Sequence, residues 1–315
     1  MPESTGYVAI APDETAHNVG PAQIDITFRR SGSTDAPPVL LIMGGAAQLI
    51  HWPDPFCNAL VDAGLQVIRF DNRDAGLSTH ITGAPAPDLP AVLAGDFSSA
   101  SYTLTEMAAD TVGLMDALGI STAHIVGASM GGQIAQIIAT QFPQRVRSLV
   151  SMMSSTGGKS VGQVDPVVLR EVFGKPVGSS RDEWIQHRVM AMRTVGSTPE
   201  FPSDVAELTA RVALAYDRDH DETALARQAV ATVATGDRTE QLRRISAPTL
   251  VIHGLADRMC DPSGGRATAD AIPGAELVLI DGMGHSLAPG LRPRLASLIS
   301  EFIWRVEAKT RRDLS

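Results

Sequence analysis

The chain has 315 residues, 44% of them hydrophobic, which is enough apolar surface to bury a large core and excludes global disorder. At about 150 residues per domain the length suggests two domains, or one long α/β domain. With 26 basic against 35 acidic residues the net charge is −9, and no Lys/Arg-rich block occurs, so nucleic acid is not an expected partner.

The opening MPESTGYVAI lacks a basic start followed by an apolar run, so no signal peptide is expected and a cytoplasmic location is. A weak strand candidate lies at 7–11. Stronger β-type runs follow at 24–30, 39–43, 66–70, 124–127, 146–152, 249–253 and 276–280. Several are continuous apolar strings (VLLIM, LVIH, ELVLI), as expected of parallel strands covered on both faces. Helical patterns lie between them at 55–63, 105–118 and 130–142, and a last amphipathic one at 292–309. Gly64, Gly119 and Pro143 supply the stops after the first three. The alternation predicts an α/β fold, a mostly parallel doubly wound sheet. Residues 118–142 carry no Asp, Glu, Lys or Arg, but their Ser, Gly and Gln residues favour a buried strand-turn-helix over a membrane span.

The alternation stops between 154 and 245, where only helical patterns occur, at 165–173, 181–195, 203–216 and 222–235. The expected division is therefore a core in two parts, 1–153 and 246–315, with 154–245 inserted as an all-helical cap.

Gly127-Ala128-Ser129-Met130-Gly131 follows an apolar run and opens a helix. Small residues two before and two after the serine let the chain make a sharp turn that lifts the hydroxyl above the sheet. The same turn puts the Met130 N–H at a helix N-terminus, where it can stabilise an oxyanion. A nucleophilic serine needs a base and a group to orient that base. Among eight histidines, His285 stands in the loop after the last apolar run. Asp257 stands after the run at 249–253, with Asp261 four residues on as its competitor. The order Ser129, Asp257, His285 is that of α/β-hydrolase triads. A second oxyanion donor is expected from Gly44-Gly45-Ala46-Ala47, with the Gly45 N–H favoured.

The strings LLIMGG, VIRFDNRDAGLST, HIVGASMGG, PTLVIHGLAD and IDGMGH together resemble the α/β-hydrolase superfamily over roughly residues 22–305. Within it, the chain is most similar to the bacterial carboxylesterase and aclacinomycin-methylesterase-like group. That resemblance implies Ser129 as nucleophile, Asp257 as acid, His285 as base, and Gly45 and Met130 as oxyanion donors. Met43-Gly44 replaces the usual His-Gly, a departure shared by the methylesterase group. Arg73 and Asp74 in the DNRDAG turn are expected to tie loops together by charge-assisted hydrogen bonds rather than to act in catalysis.

Trp52, Met153 and Trp184 are candidate pocket residues, each with plain core packing as the competing reading. Cys57 and Cys260 show no metal spacing; two buried free thiols are expected, with one disulfide left open, and Cys260 is read as inert. No metal spacing, phosphate loop or dinucleotide fingerprint occurs, so no cofactor is expected. The expected activity is hydrolysis of a small to medium apolar carboxylic ester, a small-molecule substrate, through an acyl-enzyme. Lactonase, thioesterase and carbon–carbon hydrolase chemistry with the same triad are the alternatives, and a non-catalytic small-molecule receptor is the reading from another class. Because the base must be neutral, activity is expected to fall in acid.

Overall fold

In this computed structural model the described residues are 12–173, 178 and 180–313, so the strand candidate at 7–11 lies outside them. The strands are β1 (Glu14–Val19), β2 (Ile24–Ser31), β3 (Pro38–Ile42), β4 (Gln66–Phe70), β5 (Ala123–Ala128), β6 (Val146–Met152), β7 (Thr249–Gly254) and β8 (Glu276–Ile280). They form one sheet in the order β1-β2-β4-β3-β5-β6-β7-β8. Only the β1–β2 and β2–β4 pairs are antiparallel. From β4 through β8 every pair is parallel.

The helices are α1 (Asp54–Asp62), α2 (Leu89–Leu93), α3 (Leu104–Ala117), α4 (Met130–Gln141), α5 (Pro166–Val168), α6 (Arg181–Thr194), α7 (Val205–Arg218), α8 (Glu222–Thr235), α9 (Thr239–Leu242), α10 (Ser263–Ala271) and α11 (Arg292–Asp313). The period-2 geometry of β3 explains how they divide. Leu40 and Ile42 pack with α3 and α4, among them Met107, Leu114 and Ile134. Val39 and Leu41 pack with Phe56 and Leu60 of α1 and Leu295, Ile299 and Phe302 of α11. Both faces are covered, which is why these strands read as unbroken apolar strings.

Helix ends follow local chemistry. Thr103 and Glu106 form a capping box at the start of α3. Asp221 caps α8, accepting the N–H groups of Thr223 and Ala224 at 2.8 and 3.2 Å. The helical pattern at 203–216 is displaced to Val205–Arg218, because Asp204 is its cap and accepts the Glu207 N–H at 3.0 Å. Between β6 and β7 the described residues hold helices and loops but no strand. No described helix is long and apolar enough to cross a membrane.

A histidine of the central strand lies wholly inside the sheet layer. His124 on β5 is 0% exposed, with Nδ1 2.7 Å from the Ser148 hydroxyl and Nε2 3.2 Å from Glu307 of α11. Burial lowers its pKa to about 4, although Glu307 pulls it upward. An unfolded chain returns this histidine to about 6.5. The unfolded state therefore takes the proton first as pH falls, and stability is lost progressively from about pH 6.5 toward 4. Urea unfolding at pH 7 and pH 5 should differ by on the order of 2 kcal/mol from this group, and His124→Gln should shrink that difference. An unchanged difference in the variant would assign the acid sensitivity elsewhere.

Candidate active site

Ser129 stands between the carboxyl end of β5 and the first turn of α4, with φ 57° and ψ −123°. A side chain disfavours positive φ, so the turn must be held from outside. It is. The Ser129 N–H donates to the Met152 carbonyl at 2.9 Å, and its carbonyl accepts the Ser154 hydroxyl at 2.8 Å. A β-carbon at Gly127 would lie 2.1 Å from the Gly131 carbonyl oxygen, and one at Gly131 2.1 Å from that of Ile42. Only glycine lets these backbones approach so closely. The Ser129 hydroxyl itself has no hydrogen bond to another described residue.

The acid and base meet at the neighbouring strand ends. Asp257 follows β7 with its side chain fully buried, and its Oδ2 lies 2.7 Å from His285 Nδ1. Its other oxygen accepts the Met259 and Cys260 N–H groups at 2.9 and 2.8 Å. This pairing puts the imidazole proton on Nδ1 and leaves the Nε2 lone pair free. Asp261 instead accepts the Ser263 N–H at 2.9 Å, and the Ser263 hydroxyl together with that N–H holds its carboxyl below the usual range. His253, unmarked by sequence reasoning, is completely buried. Its Nε2 lies 2.8 Å from the Cys260 carbonyl and 3.5 Å from Asp257 Oδ2. It braces the 257–260 turn that carries the acid. Burial, reinforced by Asp257, pushes the Cys260 thiol far up, and Cys57 is pushed up to about 11, so neither thiol is activated.

The loop after β3 lies against the serine turn. A β-carbon on Gly44 would be 3.0 Å from Ser129 Cβ, and one on Gly45 3.9 Å from Met130 Cβ. Met130 is the first residue of α4, so its N–H has no intrahelical partner. The inserted helices grip this loop. Gln48 donates to the Ala215 carbonyl at 2.8 Å and accepts from Arg218 Nε at 2.9 Å. Arg218 also reaches Asp71 at 2.5 Å, and Asp71 accepts the Leu49 N–H at 2.6 Å. Arg227 of α8 engages both oxygens of Asp74 at 2.9 and 2.8 Å. Arg73 pairs with both oxygens of Asp110 at 2.5 and 2.6 Å. The DNRDAG turn therefore ties loops together as its charges suggest. The insertion also clamps the histidine loop, since the His285 N–H donates to the Val195 carbonyl at 2.8 Å.

The candidate pocket residues separate. Trp184 of α6 lines a cavity between insertion and core, with His51, Met192, Val212 and Ala46. Its indole N–H donates to Glu222 at 2.6 Å. Trp52 is 0% exposed and stacks on Phe56 at 5.5 Å inside the core. Met153 is buried at the end of β6, also in the core, and flanks Ser154 beside the serine turn. His51 rather than its neighbour Trp52 faces the cavity, and burial lowers it to about 4. Among the described residues no group of three His, Cys, Asp or Glu side chains is placed to hold a metal.

Comparison with known proteins matches residues 37–176 to the alpha/beta hydrolase fold. The rhodomycin D methylesterase of Streptomyces sp. (strain C5) is 30% identical over 281 residues, covering 83% of this chain and 89% of that protein. The chain belongs to the α/β-hydrolase family. Another relative is the 2-hydroxy-6-oxononadienedioate/2-hydroxy-6-oxononatrienedioate hydrolase of Cupriavidus pinatubonensis, 29% identical over 79% of this chain and 81% of that one. A thermophilic esterase from Thermogutta terrifontis shares the fold with a TM-score of 0.71 at 24% identity, covering 94% of this chain and 99% of that chain.

The serine turn makes a sharp stability prediction for this hydrolase. Gly131→Ala drives a methyl into the Ile42 backbone and should cost about 3 kcal/mol or more in urea unfolding. A cost under about 1 kcal/mol would mean that the turn can relax without it.

Proposed function

We propose that the protein is a serine hydrolase of carboxylic esters. The observation that carries this reading is the 2.7 Å hydrogen bond from the His285 imidazole to buried Asp257, on loops at the same end of the parallel strands as a strained Ser129 whose hydroxyl has no hydrogen bond among the described residues. In this reading Ser129 Oγ attacks the ester carbonyl while His285 Nε2 takes its proton. Asp257 keeps the ring oriented and stabilises the imidazolium. The tetrahedral oxygen sits between the N–H groups of Gly45 and Met130. His285 then protonates the leaving alcohol, and water, deprotonated by the same ring, releases the acid. No cofactor enters this sequence. Free Ser129 Oγ is no objection, because such hydrogen bonds often tighten only with substrate bound.

The methylesterase relative supports a small leaving alcohol. In this reading residues 154–245 act as a cap over a core of 1–153 and 246–315. Carbon–carbon hydrolysis is the second reading, favoured by the relative from Cupriavidus pinatubonensis.

Wild type and variants should be compared on methyl and p-nitrophenyl esters of increasing acyl length, and on a vinylogous 1,5-diketo acid. Ester turnover should dominate. Ser129→Ala should lower kcat/KM by at least ~10⁴ and Asp257→Asn by about 10³ to 10⁴. Full ester activity in Ser129→Ala would sink the proposal, and preferred cleavage of the diketo acid would replace it with the second reading.

A further inference from the structure

The insertion reaches the proposed oxyanion turn directly at one side chain. Gln228 of α8 is 1% exposed, and its Oε1 accepts the Ala46 N–H at 2.9 Å. Its Nε2 donates to the Arg73 carbonyl at 2.8 Å and approaches the Asp74 carbonyl at 3.4 Å. An N–H on one side and two carbonyls on the other determine which end of the amide is oxygen. Ala46 has φ 58°, a left-handed conformation that its β-carbon disfavours. Its N–H and that of Gly45 are successive donors in one small turn, an arrangement that can present backbone N–H groups to an anion. Only one of them can be spared for a reacting oxygen if the other is already engaged.

We infer that Gln228 is a positioning residue for the oxyanion site. By taking the Ala46 N–H it holds the turn in its left-handed form and leaves the Gly45 N–H directed at the oxygen bound over Ser129. Oxyanion stabilisation then depends on the seating of α8, although α8 touches none of the reacting atoms. The neighbouring Arg227 keeps α8 docked through both oxygens of Asp74, and Arg218 keeps α7 docked through Asp71 and Gln48. Loss of the Gln228 amide should therefore disturb the turn without releasing the insertion. The inference rests on Gly45 and Met130 being the oxyanion donors proposed above.

Two variants separate positioning from simple support. Gln228→Met keeps the length and leaves the Ala46 N–H unpaired. Gln228→Glu keeps the acceptor for Ala46 but turns a carboxylate toward the Arg73 and Asp74 carbonyls, so it should melt lower while keeping the turn. Each is assayed with p-nitrophenyl butyrate, with an alkyl trifluoromethyl ketone as inhibitor, and by thermal unfolding. Ser129 adds to that ketone carbon, His285 takes the serine proton, and the ketone oxygen becomes an oxyanion.

Gln228→Met should lose on the order of 10- to 100-fold in kcat, short of the ~10²–10³ lost when a donor is removed outright, with KM little changed. The ketone Ki should rise in parallel with the fall in kcat/KM. Gln228→Glu should retain more kcat than Gln228→Met despite its lower melting temperature. Should Gln228→Met fail to fold, Gln228→Asn, one methylene short of Ala46, is read in its place. Activity that follows melting temperature across the variants, or an unchanged kcat and ketone Ki in the Met or Asn variant, overturns the inference. Ser129→Ala run alongside distinguishes the two failures: full turnover there removes the ester-hydrolase reading itself.

Discussion

Ser129 occupies a backbone conformation that its own side chain opposes, and the arrangement around it serves to hold it there. With φ at 57°, the residue is kept by the Met152 carbonyl, the Ser154 hydroxyl and the close backbone crossings at Gly127 and Gly131. Strain of this kind costs about 1–3 kcal/mol and persists only where surrounding structure over-determines it. Here the buried parallel strands β3, β5 and β6 supply the rigidity. β5 is central, with β3 and β6 hydrogen-bonded on either side, so the turn at its end cannot relax without disturbing both neighbours. The return is a hydroxyl raised at the strand ends and a helix N-terminus directly behind it.

The buried charges around the DNRDAG turn work differently. Burial raises the Asp71 carboxyl despite Arg218 and two N–H donors, and it raises Asp110 despite Arg73. In both carboxyls desolvation works against the attraction of the partner, while the Asp110 carboxylate in turn holds the Arg73 guanidinium more firmly charged. The geometry of these pairs specifies location, since a buried carboxylate tolerates only the position in which every partner is in place. Asp74 makes the point most fully, receiving Arg227, the Tyr102 hydroxyl at 2.7 Å and the Ile81 N–H at 2.8 Å. Through Arg218, Arg227 and Gln228, the DNRDAG turn sets where the inserted helices sit relative to the loop after β3.

Much of this was legible from residues alone. The apolar strings at 39–43 and 249–253 marked strands because burial on both faces leaves a continuous signature, and Gly-Ala-Ser-Met-Gly marked the turn because sterics demand small residues there. β1 escaped notice because it is an edge strand in which only Ala16 and Val19 are buried. α10 escaped because SGGRATADA carries two glycines, which read as loop. Gly265 is there for contact, since a β-carbon would lie 2.5 Å from His253 Nδ1. Contacts between distant segments left no local trace. Gln228 and Ala46 are 182 residues apart, and nothing in either neighbourhood announces the other. Trp52 and His51 were distinguishable only by packing, because adjacent residues on a short turn point opposite ways.

The account turns on an activated Ser129, and covalent capture tests that most directly. The full-length protein should be treated with a fluorophosphonate, and the adduct located by intact mass and peptide mapping. One adduct is predicted, on Ser129, absent from Ser129→Ala and formed far more slowly in His285→Gln. No adduct, or an adduct on another residue at equal rate in Ser129→Ala, would contradict the assignment of the nucleophile.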